Sequence, residues 1–500
     1  MHSPDPLFLP LAIPAKLYSI VKAVCALSHR ANCTGAVMPG PVDTDYLVVG
    51  TGAAGMAFTD ALLSHSDATV TLVDRRYAPG GHWIDAYPFV RLHQPSAFYG
   101  VSSVPLGRDT LNQTGIDAGF HESAGADEIR AYYAQVMDQH FLPTGRVHHY
   151  PCSDYSLGPD GSHRITSGLS GKVQEVRVRR KLVDTSYLEG RIPATSPPPF
   201  EVAEGVRCVA AGDIARVADR PERYVVIGAG KTALDTCVWL LSQGVSAGAI
   251  QWVRPRESWW LNRRFNQPGE GLPDFFAGVG LQVKAMANAT SVDDLFARLE
   301  HDGIFLRVDT AVAPTMSRGA IVSEAELVLL RQIDDVVRRG HVRRIERNRI
   351  VFDDGSVPTD TATLHVHCAA MGLARPALRP IFEAERVVLQ PLFWSFACFP
   401  AALLGVIEAS IADTSEKNRL CPPIQYWDKP RDYPLSYLAM MAHDRVRAAH
   451  PAVGAWAKNT RLNPMSGLAA HRDHPVVAQT WGDLKKYGST AAGNLVKLLE

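Results

Sequence analysis

Residues 46–55 read YLVVGTGAAG, and residues 224–233 read YVVIGAGKTA. In the first stretch Tyr46–Val49 is a short apolar run of the kind a buried parallel strand needs. Gly50, Gly52 and Gly55 follow it directly, so the expected order is strand, tight turn and a helix opening at Ala53 and Ala54. The first glycine permits the turn, the second lets the backbone approach a pyrophosphate, and the third lets the helix pack on the strand. The unpaired amides and positive dipole end of that helix then face an anion. A second strand, ATVTLVDRR at 68–76, ends at Asp74 and Arg75. A carboxylate there accepts both ribose hydroxyls of an adenosine and repels a 2′-phosphate, which points to FAD or NAD(H).

The second stretch repeats the strand as Tyr224–Ile227, and its turn carries Gly228, Gly230 and, in third place, Ala233, with Lys231 and Thr232 opening the helix. Its second strand, AIQWV, runs into Arg254, Pro255 and Arg256. Guanidinium forks match phosphate oxygens and keep their charge, so this end suits an adenosine with a 2′-phosphate, NADPH; the alternative is a pair of solvated loop cations. Two sites of opposite preference have an economical explanation: a tightly held flavin reduced by a visiting nicotinamide nucleotide.

The chain has 500 residues, 46% hydrophobic and 20% charged, which is long enough for two or more domains with their own cores. Its formal net charge of zero gives no long-range attraction to nucleic acid or an anionic membrane. Eight cysteines are scattered without a C-x-x-C pair, which excludes the usual layout of flavin disulfide reductases. They read as reduced thiols of a cytoplasmic protein. Residues 1–43 read as an N-terminal extension. Pro10, Pro14, Lys16 and Lys22 interrupt its apolar run, and Asp5 stands where a signal peptide carries positive charge, so neither a membrane span nor a leader is expected. With the first strand expected only at about Tyr46 and Met38 just before it, residues 1–37 read as a dispensable extension or a misassigned start. The apolar segment from Val387 is broken by Gln390, Pro391, Pro400 and Gly405 and reads as core near a cofactor.

Between the glycine turns the pattern predicts a helix around residues 126–139 and a strand, VQEVRVRRK, whose arginines form a solvated face. The proline-rich run IPATSPPPF at 192–200 reads as a connector. Ser323 and Glu326 form a capping box for a helix through residue 337, and HVRRIERNRIVFDDGSV reads as a hairpin turning at Asp354–Gly355. TLHVHCAAMG is an apolar strand ending at Gly372. His365, His367 and Cys368 have no fourth ligand at suitable spacing, so no metal is expected.

The first turn with Asp74, GGHW at 80–83, the run from Tyr87 to Ser96, the second turn with Arg254, and CAAMG together resemble class B flavin monooxygenases, the group of flavin-containing and Baeyer–Villiger enzymes. The resemblance covers most of residues 44–412. It implies an α/β fold of two dinucleotide-binding Rossmann-like domains, the NAD(P) domain inserted within the FAD domain: FAD-binding 44–200 and 346–412, NAD(P)H-binding 223–345, and a C-terminal extension 413–500. The expected FAD contacts are Gly50, Gly52, Ala53, Ala54, Gly55, Asp74, Arg75, Gly81, His82, Trp83, Gln94 and Gly372. The expected NADPH contacts are Gly228, Gly230, Lys231, Thr232, Ala233, Arg254 and Arg256. His93 and Arg91 are the candidate catalytic groups, His93 as hydrogen-bond donor or proton shuttle beside the flavin. Two features differ from the family: the Phe-x-Gly-x-x-x-His-x-x-x-Trp/Tyr fingerprint before the second turn is absent, and His93 stands where the family has Asp or Asn. The implied activity is oxygenation of a small organic substrate by molecular oxygen through a flavin hydroperoxide. The alternatives are a reductase serving a carrier or quinone, and a non-catalytic dinucleotide sensor.

Overall fold

Strand β1 (Val42–Val49), helix α1 (Ala53–His65) and strand β2 (Val70–Val73) form a βαβ unit, with β2 parallel to β1 and Tyr46 opposite Val70. The computed structural model describes residues 40–187, 189–370, 372, 374–393 and 396–500, so the extension expected before β1 lies outside the described residues up to residue 39. From Val42 to Glu500 the chain is one contact unit.

The close approach of α1 to β1 follows from the glycines. Gly50 is left-handed (φ +106°), and a side chain on Gly55 would overlap the Gly50 carbonyl oxygen. The sheet continues through β3 (Val147–Tyr150) beyond β2. On the other side of β1 lies β6 (Val173–Asp184), parallel to it, and an antiparallel pair, β4 (Ser153–Leu157) and β5 (His163–Ser167), extends β6. Arg177 and Arg179 of β6 lie on its exposed face, paired with Asp43 and Asp45, as the alternation predicts.

After β6 the chain leaves this sheet and builds a second one. It contains β7 (Cys208–Ala210), β8 (Tyr224–Ile227), β9 (Ile250–Val253), β10 (Val336–Val337) and β11 (Leu364–His367), in the spatial order β10-β9-β8-β11-β7, all parallel. Helix α2 (Lys231–Ser242) follows β8. The chain then returns to the first sheet as β12 (Arg386–Val388), parallel to β6. β11 therefore pairs with β8, whereas the boundary expected at residue 346 grouped it with the first unit. An apolar parallel strand suits either sheet, and sequence cannot tell which neighbour it takes.

Two further differences concern local structure. The Ser323–Glu326 capping box is present, but its helix ends at Leu330. Val336–Val337, expected to be helical, forms the edge strand β10, because β-branched residues fit the pleat beside Trp252 and Val253. The helix expected over 126–139 is α-helical over Ala126–Gln135 and continues as a π-helix over Val136–Phe141. The Asp354–Gly355 turn joins Arg349–Phe352 to Ser356–Pro358, with Gly355 at φ +83°. The C-terminal residues join the core rather than trailing from it. The helix Pro475–Leu499 packs along α3 (Leu272–Asn288), and Tyr433 lies among Trp259, Phe296 and Phe305.

Helix α4 (Cys398–Ser410) packs against α1, as expected of core. Its Glu408 is, among the described residues, the one carboxylate in a buried cluster of four groups: Lys417 Nζ lies at 2.7 Å, Lys181 Nζ at 3.3 Å and the Tyr46 hydroxyl at 3.0 Å. A buried charge without its partner costs several kcal/mol, because water no longer solvates it. Glu408→Gln is expected to lower unfolding free energy by about 3–5 kcal/mol in urea titrations. A loss below about 1 kcal/mol would show that water reaches the lysines.

Candidate functional site

A cavity of 740 Å³ opens along the C-terminal edge of β1 and β2 and reaches the second glycine turn. Gly50, Gly52, Ala53, Ala54 and Gly55 line it from the first turn, Asp74 and Arg75 from the end of β2, and Gly81, His82 and Trp83 from the GGHW segment. Arg91, His93, Gln94 and Gly372 line it as well, whereas from the second turn only Thr232 does. Gly228, Gly230, Lys231, Ala233, Arg254 and Arg256 are not on its wall.

The first turn is built for close backbone approach. Gly52 caps α1 without a side-chain bond, so its first amides face the cavity unpaired by a cap. Opposite, a side chain on Gly81 (φ +59°) would stand 2.8 Å from Gly52 Cα. Asp74 is buried and partly committed: Oδ2 accepts from the Thr51 amide at 2.7 Å and the Thr51 hydroxyl at 2.9 Å, and Oδ1 from the Arg76 amide at 2.8 Å. A carboxylate has about four acceptor positions, so Oδ1 keeps capacity toward the cavity. Arg75 pairs with Glu189 at the rim. Trp83 donates from Nε1 to the Tyr99 hydroxyl at 2.6 Å, which fixes both rings in the wall.

His93 lies between the cavity and a buried charge network. Lys231 pairs with Asp235 and, at 3.1 Å, with Glu326; Glu326 also binds Arg263 at 2.8 Å, and Arg263 pairs with Asp117. The Tyr87 hydroxyl donates to Asp235 at 2.6 Å, so the network ties the segment after GGHW to α2. Burial pushes Glu326 up, but Lys231 and Arg263 outweigh it and hold the carboxyl at about 2. Burial first, then the Lys231 and Arg263 charges, lower His93 to about 3. The proton-shuttle role expected of His93 needs a group that changes charge near neutrality. Here the imidazole stays neutral, and the role open to it is that of a fixed hydrogen-bond donor or acceptor. Arg91 is turned to the Ser123 carbonyl at 2.9 Å, and Gln94 Nε2 to the Phe98 carbonyl at 3.4 Å.

The second turn differs from expectation in its cations. Lys231 is neutralised by the network described above. Arg254 is 4% exposed, pairs with Glu257 at 3.1 Å and lies over the Trp252 ring, whose Nε1 donates to the Gly228 carbonyl at 2.9 Å. A buried guanidinium is costly without a partner, and Glu257 supplies one here. Arg256 stays half-buried near Asp428. His365 Nε2 bonds the Thr359 hydroxyl and Nδ1 the Arg207 carbonyl, so both ring nitrogens are engaged.

Several cavity residues were not assigned to the site by the sequence. Thr185, whose hydroxyl bonds the Val49 carbonyl at 2.7 Å, closes over Gly50. Tyr99, Ile192, Gly319, Ile321 and Tyr426 arrive from four separate segments. Ile192 opens the proline-rich run read as a connector, and Tyr426 belongs to the C-terminal residues, for which the sequence indicates no role.

Two expectations follow. A histidine whose folded value is depressed below its unfolded value takes up protons on unfolding as pH falls below about 6.5, so its stabilising contribution is complete above that and is lost toward about pH 3. His93→Gln is therefore expected to reduce the fall in melting temperature between pH 6.5 and pH 4; an unchanged slope would show that His93 titrates freely. Arg254→Ala, which strips a buried partner from Glu257, is expected to lower the melting temperature and to weaken NADPH and NADH alike. Weakening confined to NADPH in steady-state kinetics would instead make Arg254 a phosphate ligand.

No protein-family model matches the chain. It is 42% identical over 462 residues to the uncharacterised proteins Rv2000 of Mycobacterium tuberculosis and Mb2023 of Mycobacterium bovis, covering 92% of this chain and 85% of each relative. Among solved structures it is similar to cyclohexanone monooxygenase from Rhodococcus sp. Phi1 bound to NADP+ (14% identity, 74% of this chain and 84% of that one, TM-score 0.46). It is also similar to an open crystal structure of cyclohexanone monooxygenase (12% identity, 89% and 99%, TM-score 0.47). The bacillithiol disulfide reductase of Staphylococcus aureus is similar as well (11% identity, 74% and 97%, TM-score 0.40). At these identities and TM-scores the structural likenesses describe resemblance alone. The identity to the mycobacterial proteins, sustained over nearly the whole chain, places this protein in their family.

Proposed function

We propose that the protein is an FAD-dependent oxidoreductase reduced by NADPH, and that it oxygenates a small organic substrate with molecular oxygen. In this reading the sheet containing β1 and β12 is the FAD domain and the sheet of β7–β11 an inserted NAD(P)H domain, both Rossmann-like. The observation that carries it is the single cavity bounded at one end by the first glycine turn with Asp74 and at the other by Thr232 of the second turn. Dinucleotides held at the two turns would extend into one space, as hydride transfer requires.

The residues fit the flavin dinucleotide. Gly52 and Gly81 leave a cradle that a side chain would fill, the start of α1 offers amides to a pyrophosphate, and Asp74 Oδ1 retains acceptor capacity for a ribose. Trp83, His93 and Gln94 line the remainder of the wall. Bound there, a flavin supplies hydride acceptance and a two-electron reaction with oxygen. The chain contributes the enclosure that excludes water, a neutral imidazole at His93 for a directed hydrogen bond, and a second turn at which Gly230 leaves open space for a nucleotide. Arg256, half-exposed at the end of β9, is what favours NADPH.

A second reading has its own support: the absent fingerprint and the neutralised Lys231 leave the second turn less committed to holding a nucleotide through a catalytic cycle, which suits a reductase. The purified protein is expected to carry FAD, and Asp74→Ala to weaken FAD binding about tenfold or more, the scale of a lost charge-assisted hydrogen bond. A wild-type protein that takes up no flavin would remove both readings. Anaerobic reduction by NADPH followed by mixing with oxygen separates them. Multi-phase reoxidation with an oxygenated product supports oxygenation; single-phase reoxidation with all electrons recovered as hydrogen peroxide supports the reductase.

A further inference from the structure

Three cavity-lining segments run outward to one point on the rim. Arg318 precedes Gly319 and Ile321 on the strand Met316–Val322, Arg375 follows Gly372, and Asp428 follows Tyr426. Arg256, beyond the end of β9, reaches the same point. The three guanidiniums gather on one carboxylate: Arg318 Nε lies 2.9 Å and Arg375 Nη2 3.1 Å from Asp428 Oδ1, and Arg256 Nη1 lies 3.8 Å from Oδ2. Arg375 Nη2 also donates to the Trp427 carbonyl at 3.1 Å.

The charge does not balance here. Next door, Arg254 and Arg338 are matched by Glu257 and Asp309, two cations to two anions. Around Asp428 three cations meet one anion, and the nearby Asp432 is turned away, its Oδ2 accepting from the Asp428 and Lys429 amides at 2.8 and 2.9 Å. Burial, with the Arg256 and Arg375 charges, pushes Arg318 down despite Asp428. The three side chains are 35%, 32% and 30% exposed, so guanidinium N–H groups remain open to solvent. The Arg318 side chain bonds Asp428 through Nε, and among the described residues its Nη atoms make no hydrogen bond. Guanidinium groups held in this way around a gap in negative charge match the oxygens of a dianion in geometry and in sign.

We propose that Arg256, Arg318 and Arg375, positioned by Asp428, form a subsite at the cavity rim for a phosphate-type dianion. Two sources share that chemistry, an anionic group on the organic substrate and the 2′-phosphate of the nucleotide. The subsite stands on these residues alone and needs neither flavin nor turnover, so its failure and that of the flavin reading are separate results.

The test is calorimetric titration of the purified full chain with inorganic phosphate. Arg318→Gln and Arg375→Gln are each expected to weaken phosphate binding about tenfold or more. Asp428→Asn, which removes the competing carboxylate while keeping its shape, is expected to tighten it. The opposite sign matters: a variant that merely unfolds cannot bind more tightly, so Asp428→Asn decides the question even where an arginine variant misfolds. Adenosine 2′-phosphate bound more tightly than adenosine 5′-phosphate, with that advantage lost in Arg318→Gln, assigns the dianion to the nucleotide. Equal binding of the two, with the phosphate effects retained, assigns it to the substrate. Phosphate affinity unchanged in folded Arg318→Gln and Arg375→Gln, or not increased in Asp428→Asn, overturns the proposal.

Discussion

The contact between Gly55 and the Gly50 carbonyl is the constraint from which the candidate site follows. A side chain at either position would collide, at Gly55 with that carbonyl and at Gly50 with the Thr185 hydroxyl. With both absent, α1 seats directly against β1, and its first amides face the space beyond the strand ends. Asp74 reinforces the arrangement by taking the Thr51 amide and hydroxyl, so the turn and the end of β2 hold each other in place. Thr185, at the end of β6, closes the third side by bonding the Val49 carbonyl. The cavity mouth therefore inherits its shape from backbone packing, which side-chain motion cannot easily alter.

The other end of the cavity is set by electrostatics rather than sterics. Lys231, Asp235, Glu326, Arg263 and Asp117 form a chain of ion pairs, and they join α2 and the capped helix after Ser323 to Asp117 and Tyr87, which lie between β2 and β3 in the chain. Such a network is costly to desolvate and costlier to break, because removing one member strands another. Its consequence for chemistry is indirect: it ties Tyr87 and the segment leading to His93 to α2, and its cations add to the burial that lowers the His93 imidazole. Residues that look like ligands by position are thus already paired with carboxylates of the chain. Lys231 and Arg254 are the clearest cases.

The C-terminal residues have a comparable indirect role. Arg461 donates to the carbonyls of Ala97, Tyr99, Val101 and Val104 and so clamps the loop that bears Tyr99. Tyr426 enters the cavity wall, and Asp428 collects the arginines at its rim. A segment without recognisable motifs completes a site whose motifs lie hundreds of residues earlier, since a guanidinium can satisfy several carbonyls that the loop cannot pair internally.

What the sequence by itself determined are the features written in local spacing. The two strand–glycine–helix turns, the acid after β2, the alternating face of β6, the capping box at Ser323 and the Asp354–Gly355 turn each depend on residues within one turn or one strand, where sterics and periodicity act without knowledge of the rest of the chain. Only the tertiary structure decided which sheet receives Leu364–His367, that Val336–Val337 is an edge strand, and which arginines are buried. Arg254 and Arg256 are identical in type and two residues apart, yet one is buried over Trp252 against Glu257 and the other reaches the rim beside Asp428. That difference depends on carboxylates contributed by distant segments. A charge has no preferred partner until folding brings one within a few ångströms, so the protonation of His93 and the role of each cation become defined only in the folded chain.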